Sequence, residues 1–124
     1  GLQFTAFARD GISWHHFTKV GGANTPSNAV TNLTQDQLRK IFVTGEINNW
    51  SQVGGTSAPI VVYAAQAGSG TRTTFDGFVG GSSSSQIPAG NQATRVITEN
   101  NAQQIVDNGE AANAIFYESY GRYQ

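Results

Sequence analysis

The chain lacks cysteine, and only 12% of its 124 residues are charged. Without cysteine it has neither a disulfide framework nor a thiolate metal site, although this absence is compatible with any compartment. The formal net charge of −1 leaves no basic surface of the kind that binds nucleic acid. No apolar run is long enough to span a membrane. These absences exclude nucleic-acid binding, disulfide-rich and membrane-spanning classes.

The composition that replaces the missing charge is rich in small polar residues and glycine. A chain of 124 residues suits one domain with one core, and 38% of the residues are hydrophobic. A free-standing soluble domain typically carries about a quarter charged residues, so 12% is low. We therefore expect a single domain with an unusually neutral surface.

A strand, a glycine-rich loop and a helix follow one another in the middle of the chain. An apolar run over residues 59–65 predicts a buried strand, and a helical pattern covers residues 71–79. The first N–H groups of a helix have no internal partner, and they lie at the positive end of the helix dipole. This order of elements predicts an oxyanion site in the loop between them.

The candidate ligand-binding residues are those of the loop itself. Gly68 and Gly70 allow the backbone to approach a ligand closely, and Ser69 and Thr71 add hydroxyl donors. The same residues also fit a simpler interpretation, in which Ser69 only caps the helix. The loop is not a Walker A motif, because Thr71 is followed by Arg72 and no lysine is nearby.

Apolar periodicity along the rest of the chain predicts alternating strands and helices, which indicates an α/β fold. The first two strands are joined at Asp10-Gly11 as a hairpin, so we expect a three-layer lobe with a central mixed sheet. A flexible loop or surface crossing is expected over residues 80–91. Helices are predicted over Thr34–Val43, Thr71–Val79 and Asn100–Asn108, and strands over 2–8, 12–17, 59–65, 94–97 and 114–117.

Catalytic and metal chemistry find little support in the residues. His15 and His16 are adjacent in a predicted strand, so their side chains point to opposite faces and do not readily bind one ion. We predict that they bind no metal together and that one is buried and the other exposed. Trp50 is predicted to be a packing anchor rather than a ligand-stacking residue. No nucleophile–base pair is apparent, so we expect neither an enzyme nor a cofactor.

Four segments resemble the second lobe of the phosphate-binding proteins of ABC-type phosphate uptake, which are type II periplasmic binding proteins. Residues 32–50 are similar to that family's NLT-x-x-QL-x-x-IF pattern with its following glycine and NW, and residues 68–75 match GSGTR-x-x-F. Residues 7–12 resemble the strand that enters the lobe. Residues 114–117 resemble its closing AIGY strand, with Phe116 in place of glycine. Together the four segments span almost the whole chain.

The resemblance implies that residues 1–124 form a single α/β lobe, one half of a two-lobed fold taken from a longer chain. Two such lobes close around an oxyanion, so the implied partners are phosphate or a similar oxyanion, the missing first lobe and an ABC transporter permease. The implied location is extracellular or periplasmic, at the cell surface. By position, phosphate would be bound by Ser69, Gly70 and Thr71, with Gly68 and Arg72 beside them.

One departure from the family pattern concerns charge. The family commonly has an arginine four residues before the loop serine and an acidic residue two before it, whereas this chain has Ala65 and Ala67. Losing one charged hydrogen bond costs about 1.5–3 kcal/mol. Arg72 is either a substitute cation or an ordinary exposed arginine of the first helical turn. The alternative function is a non-transport extracellular module that keeps the fold and has lost the ligand, acting in adhesion, sensing or assembly.

Overall fold

The computed structural model describes residues 2–6, 12–98 and 101–119. Its strands are β1 (Leu2–Ala6), β2 (Ile12–Phe17), β3 (Lys19–Val20), β4 (Ala23–Asn24), β5 (Val61–Val62), β6 (Ala64–Ala65), β7 (Val96–Ile97) and β8 (Ala114–Ser119). Its α-helices are α1 (Gln35–Arg39), α2 (Gly70–Val79), α3 (Gln92–Arg95) and α4 (Gln103–Asp107). Single turns of other helix types lie at Lys40–Thr44, Trp50–Val53 and Ala89–Asn91.

The central sheet is mixed, as predicted. Its strand order is β1-β2-β8-β5, in which β2 pairs antiparallel with both β1 and β8. Strand β5 pairs parallel with β8, and β6, one residue further along the chain, pairs parallel with β7. The chain therefore passes from one parallel partner to another at Tyr63.

Two hydrophobic clusters cover the two faces of this sheet. Successive residues of a strand point to opposite faces, and β8 follows this rule: Ile115 and Tyr117 belong to one cluster, and Ala114 and Phe116 to the other. The first cluster includes buried side chains of α1 and α2, whereas the second includes Ile105 of α4. The predicted three-layer α/β arrangement is thus confirmed.

The first helix begins where the sequence places its start. Thr34 Oγ1 accepts the N–H of Gln37 at 3.1 Å, and Gln37 Oε1 accepts the N–H of Thr34 at 2.8 Å, so the predicted capping box is confirmed. The helix continues as a wider turn over Lys40–Thr44 and ends at Gly45, whose φ is 77°. Trp50 is fully buried and donates from Nε1 to the carbonyl of Asn113, which confirms its packing role.

Several predicted boundaries were wrong or incomplete. Thr94 and Arg95 belong to α3, so the predicted strand at 94–97 is reduced to Val96–Ile97. The segment 80–91 crosses the surface, but it is not loosely attached, because Ser83 and Ile87 are buried. The predicted helix over Asn100–Asn108 is described from residue 101, and α4 covers only part of it. The predicted turn at Asp10-Gly11 lies outside the described residues.

Candidate functional site

The Gly68–Thr71 loop lies at the carboxyl end of β6, beside the carboxyl end of its parallel neighbour β7. Open α/β sheets bind ligands at this edge. Gly68 has a φ of 91°, a left-handed conformation that favours glycine, and it turns the chain into α2. The predicted loop and helix are therefore present, whereas the predicted strand over 59–65 is divided into β5 and β6. The loop lies at the edge where an anion site is expected.

Ser69 has the capping role of the simpler interpretation. Its Oγ accepts the N–H of Arg72 at 3.2 Å, and its backbone is extended, as an N-cap residue requires. Its own N–H donates to the carbonyl of Gln66 at 3.1 Å. The turn before the helix therefore uses this N–H, and the binding of an anion by Ser69 stays a prediction. Gly70 and Thr71 supply the N–H groups at the start of α2.

The loop exposes backbone rather than side chains. Gly68 and Gly70 are exposed, whereas Ser69 and Thr71 are only 5% and 7% exposed. A methyl group built on Gly70 would meet nothing within 4 Å, and this residue does not have a positive φ. The surface beside Gly70 is therefore open, and an anion could approach the start of the helix there.

Arg72 is not an ordinary exposed arginine, and its role as a substitute cation stays a prediction. Its side chain is 16% exposed and lies 3.4 Å from Asp76 Oδ2 through Nε. Nη1 donates to the carbonyl of Ala65 at 3.2 Å, and Nη2 donates to Ser82 Oγ and Ser84 Oγ at 3.2 and 2.9 Å. The guanidinium is directed towards these partners because each of them accepts one of its N–H groups.

The candidate site therefore has only a weak electrostatic attraction for an anion. Ala65 and Ala67 carry no charge, and the charge of Arg72 is balanced by Asp76. The remaining attraction for an anion comes from the dipole of α2 and from neutral donors. In such an exposed position these are worth about 1–2 kcal/mol together.

Three residues next to the loop were not identified from the sequence as relevant to the site. Tyr117 Oη accepts the N–H of Ala65 at 3.1 Å and lies 2.7 Å from Ser83 Oγ. Asp76 Oδ1 accepts the N–H of Ser83 at 3.0 Å. Burial raises the pKa of Tyr117 to about 12, so its hydroxyl stays protonated at neutral pH. Ser83 gave no sequence signal because it lies inside a run of four serines.

The adjacent histidines are both buried, so the prediction that one is exposed was wrong. His15 is 5% exposed and His16 is 0% exposed, because β2 lies between β1 and β8 and both of its faces are covered. Burial lowers the pKa of each to about 4, and the charge of His16 further lowers that of His15. His16 Nδ1 lies 2.7 Å from Ser27 Oγ, and His15 lies 3.8 Å from Glu118.

Neither a metal cluster nor a membrane-spanning helix emerges from the part of the chain that the structure describes. No group of three or more histidine, aspartate or glutamate side chains is close enough there to hold an ion. Among the same residues no helix is long and apolar enough to cross a bilayer. The prediction that His15 and His16 bind no metal together stays a prediction.

A groove of about 370 Å³ lies between α1 and the end of α2. Its lining includes Asp36, Arg39 and residues 77–80, at the far end of α2 from Ser69. The groove is therefore separate from the candidate anion site.

Comparisons with known proteins match most of the chain to one superfamily of domains. A model of the PBP superfamily domain matches residues 2–122. The phosphate-binding protein PstS of Bacillus subtilis is 40% identical over 63 residues, which cover 49% of this chain and 21% of that protein. PstS of Borreliella burgdorferi is 33% identical over 75 residues, covering 60% of this chain and 24% of that protein.

Solved structures resemble almost the whole chain. One, from Clostridium perfringens, is described as a phosphate ABC transporter substrate-binding protein with bound phosphate; it is 33% identical with a TM-score of 0.58. An ABC-type phosphate transport receptor from Vibrio cholerae is 28% identical with a TM-score of 0.65. These matches cover 96% and 97% of this chain but 43% and 45% of the other two. The chain thus spans less than half the length of each of these solved proteins.

Proposed function

Because the chain belongs to the PBP superfamily, whose domain model matches residues 2–122, we propose that it is a lobe of a solute-binding protein for phosphate or a similar oxyanion. In this proposal the bound anion is delivered to an ABC transporter. The observation that carries the proposal is the position of the Gly68–Thr71 loop. It contains the exposed N-terminus of α2 and lies at the carboxyl edge of parallel strands.

The proposal that the chain is one lobe rests on how much of each matched protein it covers. The similar structures match nearly all of this chain with less than half of their own length, as a single lobe of a two-lobed protein would. A two-lobed binder divides its ligand contacts between the lobes. The partners we propose are therefore a first lobe and a transporter permease, and the proposed location is extracellular or periplasmic, at the cell surface. The length of the native reading frame tests this, because it should encode a second α/β lobe beside residues 1–124; a frame ending at these residues would contradict it.

Binding without catalysis is the activity we propose. The similar proteins are described as binding proteins and transport receptors. The polar groups around the loop are hydrogen-bond donors, a capping serine and a neutral tyrosine, which suit the holding of an anion. No cofactor is needed for this function.

The affinity of the isolated lobe for phosphate should be low. A single lobe leaves the bound anion exposed to solvent, so water competes with the hydrogen-bond donors and salt screens the charges. Ala65 and Ala67 provide no charged contact, and Arg72 is held by Ala65, Asp76 and the serines. We therefore expect a dissociation constant above about 1 mM for inorganic phosphate.

A phosphate titration monitored by NMR tests the site, with sulfate at matched ionic strength as the comparison anion. The amide resonances of Gly70 and Thr71 should shift most. Gly70→Ala should abolish these shifts, because the added methyl group occupies the open surface beside the helix start without clashing inside the chain. Gly77→Ala is the matched control, since it adds the same group to the same helix in open space at a position far from the loop.

Three outcomes are informative. Shifts of Gly70 and Thr71 that disappear only in Gly70→Ala support the anion site. No localised shifts at any phosphate concentration would contradict it and favour the alternative, a ligand-free extracellular module. Micromolar binding would show that Ala65 and Ala67 did not weaken the site.

A further inference from the structure

The chain leaves β8 in an unusual way between β5, which pairs with β8, and β6, which pairs with β7. Along β5 the N–H of Val61 donates to the carbonyl of Asn113, and the N–H of Tyr63 donates to the carbonyl of Ile115, both at 2.9 Å. In a regular parallel ladder the N–H of Ala65 would next donate to the carbonyl of Tyr117. It donates instead to the side-chain hydroxyl of Tyr117, at 3.1 Å. The side chain of Tyr117 therefore takes the place of its carbonyl after the chain has changed partner from β8 to β7.

The position of the Tyr117 hydroxyl is closely determined. Its ring stacks on Phe75 of α2, with centroids 3.9 Å apart and planes 8° from parallel. Its Oη lies 2.7 Å from Ser83 Oγ, and Ser83 is fully buried. The N–H of Ser83 is in turn held by Asp76 Oδ1. The hydroxyl is thus fixed from α2 and from the segment that follows it.

The carbonyl of Ala65 is held as well. It accepts Nη1 of Arg72 at 3.2 Å, while Arg72 Nε lies 3.4 Å from Asp76. Arg72 belongs to the first turn of α2 and Ala65 is the last residue of β6. Their contact therefore joins the two ends of the loop that lies between them. Asp76 contacts both Arg72 and Ser83, so the two halves of the arrangement meet at one carboxylate.

We propose that Tyr117, Ser83, Asp76 and Arg72 form a brace that positions the Gly68–Thr71 loop for the anion. In this arrangement Arg72 is a positioning residue that acts through Ala65. It does not contact the ligand. A loop whose ends are fixed loses less conformational freedom when it binds, so the brace raises affinity without contributing a contact. This inference rests on the proposed function for its effect on affinity, but the brace itself can be tested without any anion.

The test compares two tyrosine variants by amide hydrogen exchange in the absence of anions. Tyr117→Phe removes the brace hydroxyl and keeps the stacked ring. Tyr63→Phe is the matched control: Tyr63 is also buried, and its hydroxyl contacts Glu110 and Asn108 instead of Ala65. We expect exchange at Ala65 and Ser69, whose N–H groups are hydrogen-bonded, to become about tenfold faster in Tyr117→Phe, after correction for global stability, and to be unchanged in Tyr63→Phe.

Ser83→Ala provides a second route if Tyr117→Phe folds poorly, since it removes the other partner of the Tyr117 hydroxyl. Amide exchange at Ala65 should become faster in this variant, as it should in Tyr117→Phe. Equal effects of the Tyr117 and Tyr63 variants on the loop amides, or no effect of either Tyr117→Phe or Ser83→Ala, would overturn the brace.

Titration of Arg72→Ala with inorganic phosphate separates positioning from ligand contact. A positioning role predicts faster exchange at Ala65 together with binding that is about threefold to tenfold weaker. Weaker binding with unchanged exchange at Ala65 would identify Arg72 as a ligand contact and overturn the proposal. If the unmodified chain shows no localised phosphate binding, the proposed function fails, whereas the exchange measurements still decide whether the brace exists.

Discussion

Ser13 in β2 and Ser83 after α2 are both fully buried, yet their hydroxyls have opposite surroundings. Ser83 Oγ lies 2.7 Å from Tyr117 Oη, whereas Ser13 Oγ has no hydrogen-bond partner among the described residues. The contrast extends to their regions. Around Ala65 both backbone groups are held by side chains, while in β2 Trp14 Nε1 and His16 Nε2 also lack partners within the described chain.

This difference indicates what each region does. A buried polar group without a partner lowers stability, so β2 contributes its packing at a cost in polar desolvation. The region around Ala65 is also buried at Ala65, Tyr117 and Ser83, but its polar groups are connected into one network that leads to the loop. We infer that these two regions, one with connected polar groups and one with unpartnered ones, should respond differently to acid and to substitution.

Acid should produce the largest change in the free energy of unfolding, and it should act through the histidines of β2. An unfolded histidine titrates near 6.5, whereas burial lowers the pKa of His15 and His16 to about 4. Between these values the unfolded state binds more protons, so stability falls as the pH falls from 6.5 towards 4. Glu118 faces His15 and opposes this partly, because burial raises its pKa. We expect a loss of about 3 kcal/mol between pH 7 and 4.5.

Urea unfolding followed by tryptophan fluorescence measures this loss. His16→Gln keeps a polar side chain that does not titrate, and it should remove about half of the pH dependence. A stability that is the same at pH 7 and pH 4.5 would show that the histidines are protonated in the folded state or are not buried.

The second-largest change in stability is expected from replacing the two serines by alanine. Ser83→Ala leaves the Tyr117 hydroxyl without one of its partners, so we expect a loss of about 1–2 kcal/mol. Ser13→Ala removes a hydroxyl that has no partner within the described residues, so stability should be unchanged or slightly higher. Urea midpoints of both variants at pH 7 test the comparison, and equal losses would remove the distinction between the two regions.

Features fixed by neighbouring residues were predictable from the sequence. The capping box at Thr34 and the loop-to-helix transition at Ser69 depend on residues three positions apart. The direction of Arg72 was not predictable, because it depends on serines ten and twelve residues away. The role of Tyr117 depends on contacts 52 and 34 residues apart, with Ala65 and Ser83.

The histidine prediction was wrong for a similar reason. Alternation in a strand predicts that His15 and His16 point to opposite faces, and their neighbours agree: His15 lies against Phe116, and His16 against Trp14 and Trp50. Whether each face is covered depends on the position of β2 within the sheet. That position is set by pairing with β8, about a hundred residues later, which no local pattern reports.

The third and smaller expected effect is the loss of stability in Gly68→Ala, which changes the loop and leaves the residues of the brace unchanged. Gly68 has a φ of 91°, so Gly68→Ala forces an alanine into a left-handed conformation and should cost about 1 kcal/mol. No clash contributes, because the added methyl group would meet nothing within 4 Å. Thermal unfolding measures the change. A stability equal to that of the unmodified chain would mean that the loop relaxes freely and is not held at its ends.

The smallest expected effect on stability distinguishes two glycines of one helix. Gly70 and Gly77 both lie in α2, and an added methyl group meets nothing within 4 Å of either. Alanine reduces the freedom of the unfolded chain, so each Gly→Ala variant should be more stable by about 0.5 kcal/mol. Because Gly70→Ala should nevertheless lose the phosphate-dependent amide shifts while Gly77→Ala keeps them, the pair separates binding from stability. A Gly70→Ala variant that is destabilised by more than about 1 kcal/mol would indicate that the start of α2 is tightly packed, and would remove the open surface on which the anion site depends.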